Sequence, residues 1–142
     1  AVKLAVDMVE NLATMSLIPG SLETLKTLKD EGYRIGIISD TWPYIEKRIH
    51  AFKLDEYVDQ YTYSYELGLL KPNVLMFQDA LEKSGFKPEE CIFIDDQIKN
   101  LEAAGSLGIH PVQIVYHEGA ETGEYPMIQK PSDILNLIKQ YQ

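Results

Sequence analysis

The chain has 142 residues, 45% of them hydrophobic and 25% charged, with a net charge of −9 from 22 acidic against 13 basic side chains. That length suits one domain with a substantial core, the acidic balance excludes a general binder of nucleic-acid backbone, and no apolar run reaches membrane-spanning length. The single cysteine, Cys91, excludes an internal disulfide, and with no signal-peptide layout at the N-terminus a cytoplasmic location is expected.

In chain order, Val2, Ala5, Val6, Val9, Leu12 and Met15 follow the three-and-four spacing of a helix, so Ala1 to Met15 is expected to be helical. The competing reading takes Val2 to Val6 as a strand ending at Asp7. After Leu17-Ile18-Pro19-Gly20, Ser21 is the expected N-cap of a helix with Leu22, Leu25 and Leu28 on one stripe, closed by Gly32. Tyr33 to Ile38 reads as a strand that delivers Ser39, Asp40 and Thr41 at its C-terminal end. Pro43 opens a helix that buries Ile45, Ile49 and Phe52. His50 on that helix is expected at the surface. Tyr57 to Tyr65, rich in Tyr, Val and Thr, suits an edge strand.

Pro72 disfavours helix for Lys71, and Asn73 is expected to cap a helix that carries Val74, Phe77 and Leu81 inward until Gly85. Lys71 is thereby held in an extended loop ahead of a helix N-terminus, a place suited to anions. Cys91-Ile92-Phe93-Ile94 is an apolar run with the character of a strand buried on both faces. It leads into Asp95 and Asp96, then into a helix with Ile98 and Leu101 inward, closed by Gly108. Pro111 to Tyr116 is a last strand, residues 117 to 126 a polar loop, and Ser132 the expected cap of a final helix. His117 beside Glu118 is weak evidence for a metal site.

Alternating strands and helices of this length predict an α/β fold, a doubly wound parallel sheet with helices on both faces. Ligands bind such sheets at the carboxyl ends of the strands. Ser39, Lys71 and the Asp95–Asp96 pair all fall at that edge. A hydroxyl, an ammonium and paired carboxylates suit a phosphoryl group bound with Mg²⁺, which takes a few carboxylates together with water and phosphate oxygen.

The stretches IISDTW, GLLKPN and IFIDDQIKNLEAAGSLGI resemble the second, third and fourth motifs of the haloacid dehalogenase-like (HAD) hydrolases, in the family's order. The resemblance runs from about Ile18 to the C-terminus. Receiver domains of two-component systems place their acidic pair early and their hydroxyl and lysine late, the reverse of this chain. The resemblance implies a Rossmann-like HAD core over residues 1–142, with Ser39, Asp40 and Lys71 at the phosphate and Asp95 and Asp96 holding Mg²⁺. Ser39, Lys71, Asp95 and Asp96 are the implied catalytic residues, and Asn100 a brace for the loop. Paired carboxylates resemble the family's phosphatases rather than its metal-free dehalogenases. A small phosphorylated molecule is the implied partner; the oligomeric state stays open. Asp40 departs from the family's usual Asn and sets an extra negative charge beside the phosphate.

The larger departure is the nucleophile motif DxDx[TV], which this chain lacks. Aligning Asp7-Met8-Val9-Glu10-Asn11-Leu12 to it keeps the first aspartate as nucleophile but puts Val9 in the place of the second, the acid and base. The favoured alternative makes residues 1–16 the end of a cap-domain helix, with the nucleophile strand upstream of Ala1. That leaves a gap in mid-sheet between the Ser39 and Asp95 strands, which a replacement strand from the N-terminus or a partner would have to fill. Two functions follow: a Mg²⁺-dependent phosphohydrolase acting through an aspartyl-phosphate, or a non-catalytic or truncated module of the same fold that binds a phospho-ligand or a protein.

Overall fold

The computed structural model describes Leu4–Val6, Glu10–Asn11 and residues 16–142. Its strands in chain order are β1 (Leu4–Val6), β2 (Glu10–Asn11), β3 (Ser16–Leu17), β4 (Arg34–Ser39), β5 (Gln60–Tyr63), β6 (Cys91–Asp95), β7 (His110–Ile114) and β8 (Met127–Ile128). The helices are α1 (Ser21–Asp30), α2 (Ile45–Ala51), α3 (Ser64–Leu67), α4 (Val74–Ser84), α5 (Ile98–Ser106) and α6 (Ile134–Leu137). Six strands make one sheet in the order β5-β4-β1-β6-β7-β8, every neighbouring pair parallel, while β2 and β3 form a separate antiparallel pair. This is the doubly wound α/β sheet that the alternating pattern predicts.

Strand alternation sorts the core into two layers. Along β6, Ile92 and Ile94 face one side and Cys91 and Phe93 the other, all buried, because successive side chains in a strand point to opposite faces. The first layer adds Leu25 and Leu28 of α1, Ile45 and Ile49 of α2, and Ile134 of α6. The second adds Met76, Phe77 and Ala80 of α4 with Leu101 and Ala104 of α5. Phe77 and Phe93 meet edge to face, their centroids 4.9 Å apart, a geometry favoured by the ring quadrupoles. Among the described residues no helix is long and apolar enough to cross a membrane.

The helix expected for Ala1 to Met15 is corrected at its described residues. Leu4, Ala5 and Val6 form a strand, paired with Arg34, Ile35 and Gly36 on one side and with Cys91, Ile92 and Phe93 on the other. The physical reason is the slot itself. Without β1, the facing edges of β4 and β6 would leave backbone N–H and C=O groups unpaired in the middle of the sheet. Satisfying two ladders at once outweighs the helical spacing of a few apolar residues. Asp7, the conditional nucleophile, follows Val6 in the sequence but lies outside the described residues, as does Val9.

Three smaller expectations also change. Ser21 is the first residue of α1 and not its cap; its hydroxyl donates back to the Ile18 carbonyl at 2.6 Å. Val74 is exposed, and Met76 takes the inward position expected of it. At the C-terminus Asp133, not Ser132, anchors the turn before α6, accepting from the Gln129 and Lys130 N–H groups. Asn73 does cap α4, accepting from the Leu75 N–H at 3.0 Å, and β5 does lie at the edge of the sheet.

A mid-sheet position for β1 has a direct consequence in hydrogen exchange. The Leu4–Val6 amides are expected to exchange as slowly as those of Ile92 and Ile94, because both segments open only when the sheet opens. Exchange at the rate of a frayed end would contradict the pairing.

Candidate active site

The order of the strands reverses around β1: the chain moves outward through β4 and β5, then crosses to β6 on the other side. In open α/β sheets ligands bind at such a switch point, at the carboxyl ends of the central strands. Ser39 is the last residue of β4 and Asp95 the last of β6. Lys71 arrives on the loop between α3 and α4. Its backbone N–H donates to Asp40 Oδ1 at 2.9 Å, so Asp40 fixes the lysine loop against the end of β4.

The Lys71 ammonium is buried. It donates to the Ile38 carbonyl at 3.1 Å, pairs with Asp95 Oδ2 at 3.3 Å, and lies 5.8 Å from the centre of the Phe93 ring. These contacts bring the ends of β4 and β6 together on one side chain. Asp95 is surrounded by donors: Oδ1 accepts from the Asp96 and Gln97 N–H groups at 2.6 and 3.1 Å, and Oδ2 accepts from Asn100 Nδ2 at 3.0 Å besides Lys71. Asn100 is thus a brace for the carboxylate loop.

The two carboxylates are shifted in opposite directions. Burial by itself would raise Asp95, but the Lys71 charge and the hydrogen bonds from its neighbours prevail and hold it below its ordinary value. Asp96 is pushed up to about 6, by burial first and then by its hydrogen bond to Asp95 and that group's charge. Asp95 therefore stays ionised, while Asp96 takes up a proton more readily, at pH values below about 6.

Three residues that the sequence reading did not single out as site residues shape this rim. Gln113 on β7 is wholly buried; its Nε2 donates to the Asp96 and Glu121 carbonyls at 3.2 and 2.8 Å, and its Oε1 accepts from the Gly123 N–H at 3.0 Å. It ties the loop after β7 to the backbone of Asp96. A lone Gln within the apolar run Val112 to Tyr116 was the available signal. The Tyr116 hydroxyl is raised by burial and by the nearby charges of Asp96 and Asp95, which sets it beside the acidic pair. Thr41 has a buried hydroxyl, Oγ1, without a hydrogen-bond partner among the described residues, as do Ser39 Oγ and Asn100 Oδ1. His50 is an exposed residue paired with Asp55 at 3.0 Å, and His117 Nδ1 lies 3.1 Å from the Glu118 carbonyl.

Among the described residues no three His, Cys, Asp or Glu side chains gather around a point, so a cation here would rest on the Asp95–Asp96 pair. The donor chemistry fits Mg²⁺: hard oxygens, few in number, with room for water and phosphate oxygen. Asp95 is already oriented by four donors, and Asp96 follows it at the end of the same strand as the second carboxylate of the pair.

The family model for haloacid dehalogenase-like hydrolases matches residues 2–108. A glyceraldehyde 3-phosphate phosphatase of Pyrococcus furiosus is 34% identical over 106 residues, 73% of this chain and 44% of the relative. An (S)-2-haloacid dehalogenase 4A of Burkholderia cepacia is 31% identical over 101 residues, 70% of this chain and 44% of the relative. This chain thus spans under half the length of both. In fold it is similar to a HAD phosphatase from Thermococcus onnurineus, with a TM-score of 0.80 at 22% identity, covering 87% of this chain and 58% of that one.

The raised Asp96 makes stability depend on pH. Folded, it keeps its proton up to about 6, while unfolded it loses it near 3.8, so the folded state binds more protons between those values and stability falls as pH rises through them. In metal-free protein the denaturation midpoint is expected to decline from about pH 4 to about pH 6, and Asp96→Asn is expected to abolish that decline. Asp95, shifted the other way, contributes stability that is lost only as pH drops below the ordinary carboxylate range. A decline unchanged in Asp96→Asn would reassign the titrating group.

Proposed function

The chain belongs to the haloacid dehalogenase-like hydrolases, and from that premise we propose that it is the core of a Mg²⁺-dependent phosphatase acting on a small phosphate monoester through an aspartyl-phosphate. The observation that carries this reading is the buried Lys71–Asp95 pair at the strand edge where Ser39 ends β4, its buried hydroxyl without a hydrogen-bond partner among the described residues. An ammonium and a hydroxyl at one strand edge can hold phosphoryl oxygens, and the neighbouring acidic pair supplies the counter-charge for a cation. Paired carboxylates favour phosphate chemistry over the dehalogenation named for one of the relatives.

In this reading Ser39 donates to a phosphoryl oxygen, and Lys71 offsets the charge that gathers on the transferring group. Asp95 holds the lysine in place and with Asp96 would hold Mg²⁺, while Asn100 braces the Asp95 carboxylate. When bound, the cation neutralises phosphate charge and orients the group for in-line displacement. Asp40 keeps the Lys71 loop seated. The nucleophile is Asp7, the next residue after β1 in the sequence: its carboxylate oxygen forms a bond to phosphorus as the bond to the leaving oxygen breaks. Water then hydrolyses the aspartyl-phosphate and releases inorganic phosphate.

Val9, where the family has its second aspartate, deprives both steps of an acid and base. The consequence is uneven, because an aryl oxide leaves without needing a proton whereas attack by water still needs its proton removed. The same feature favours one second reading, a module that binds a phospho-ligand without turning it over.

Stopped-flow release of p-nitrophenol from p-nitrophenyl phosphate separates the two. With Mg²⁺ a burst of about one equivalent is expected, followed by slow turnover as the phospho-enzyme accumulates. Asp7→Asn is expected to remove the burst, and Asp96→Asn to slow it on the order of a hundredfold. A burst indifferent to Mg²⁺ would contradict the metal's role. Phosphate binding with no release of p-nitrophenol would establish the binding module instead.

A further inference from the structure

Among the described residues five buried side-chain polar atoms have no hydrogen-bond partner, and three of them, Ser39 Oγ, Thr41 Oγ1 and Asn100 Oδ1, come from residues at the site's rim. Buried polar atoms are nearly always paired in native proteins, so such a cluster calls for a ligand or water to complete it. Ser39 and Asn100 have roles in the phosphatase reading. Thr41 does not, although its backbone is bonded twice to one side chain.

The backbone of Thr41 is locked on both sides by one residue. Its N–H donates to Ser64 Oγ at 2.7 Å, and the Ser64 hydroxyl donates to the Thr41 carbonyl at 3.0 Å. Ser64 is the first residue of α3, just past the end of β5, so these bonds hold the chain beyond Ser39 against the junction of β5 and α3. Thr41 is 5% exposed, and a β-branched side chain has little rotameric freedom with which to seek another partner. Its hydroxyl is therefore held in one place and buried. Thr41 stands two residues past Ser39, the last residue of β4. Asp40 between them is spent on the Lys71 N–H.

We infer that Thr41 is a second hydroxyl donor to the bound phosphoryl group, acting beside Ser39. This deepens the phosphatase reading and rests on it. The hydroxyl leaves folding with an unmet hydrogen bond, which lowers stability, and gains its partner only when the anion arrives. Stability and binding should consequently respond to its removal in opposite directions.

The test is Thr41→Val, which replaces the hydroxyl by a methyl group of similar size. Inorganic phosphate is titrated calorimetrically into the Mg²⁺-loaded chain, and thermal unfolding is followed without ligand. The expected result is a melting temperature equal to or above that of the parent, with phosphate affinity lowered about tenfold, the weight of one hydrogen bond to a charged group. Thr41→Ser, which restores the hydroxyl, should retain most of the affinity. Ser39→Ala serves as reference. If it weakens phosphate while Thr41→Val does not, the inference on Thr41 fails and the phosphatase reading survives. If the parent chain binds no phosphate, both fail together. A marked drop in melting temperature in Thr41→Val would show a structural hydroxyl and overturn the inference.

Discussion

The buried ion pair between Lys71 and Asp95 is the constraint around which the site is arranged. An ammonium and a carboxylate removed from water lose hydration that their attraction only partly returns, so such a pair is weak evidence for stability as such. Removing either partner, in contrast, strands the other charge in the interior at about 3–5 kcal/mol. The fold surrounds both with donors and acceptors: the Ile38 carbonyl for the lysine, and two backbone N–H groups with Asn100 for the aspartate. One bridge thereby ties the loop before α4 to the ends of β4 and β6. It also holds Asp95 as the charged member of the acidic pair, with Asp96 beside it raised by that charge and by burial.

The sheet makes this convergence possible. Ser39 and Asp95 stand on strands that are two apart, separated by β1, and both strands end at the switch point of the sheet. A helix at the N-terminus would have left the middle of the sheet open. The same pairing that fills the gap brings the chain, after Val6, to Asp7 in sequence, so the question of the nucleophile and the question of the central strand are one.

Much of this was legible in the sequence because the signals were local. Short apolar runs ending in Ser39 or Asp95, a lysine held before proline, and Asn73 as a cap each follow from chemistry within a few residues. The misreadings arose where distant partners decide. Leu4–Val6 carries spacing compatible with a helix, and only two neighbouring strands, far away in sequence, make it a strand. Gln113 and Thr41 look unremarkable by type; their meaning comes from the Asp96 carbonyl and the Ser64 hydroxyl, which sequence spacing does not connect. Val74, at the first position of α4, lies exposed, and Met76 two residues on is buried in the core layer.

The central claim is that one rim holds a phosphate and a cation side by side. It is tested most directly by the ³¹P relaxation of inorganic phosphate in the presence of this chain and Mn²⁺, used as a paramagnetic stand-in for Mg²⁺. The account predicts relaxation far faster with protein, Mn²⁺ and phosphate together than the separate pairs explain, because the two ligands share the Asp96–Lys71 rim. Phosphate and Mn²⁺ each binding to the chain while the ³¹P signal relaxes as if the metal were distant would contradict it.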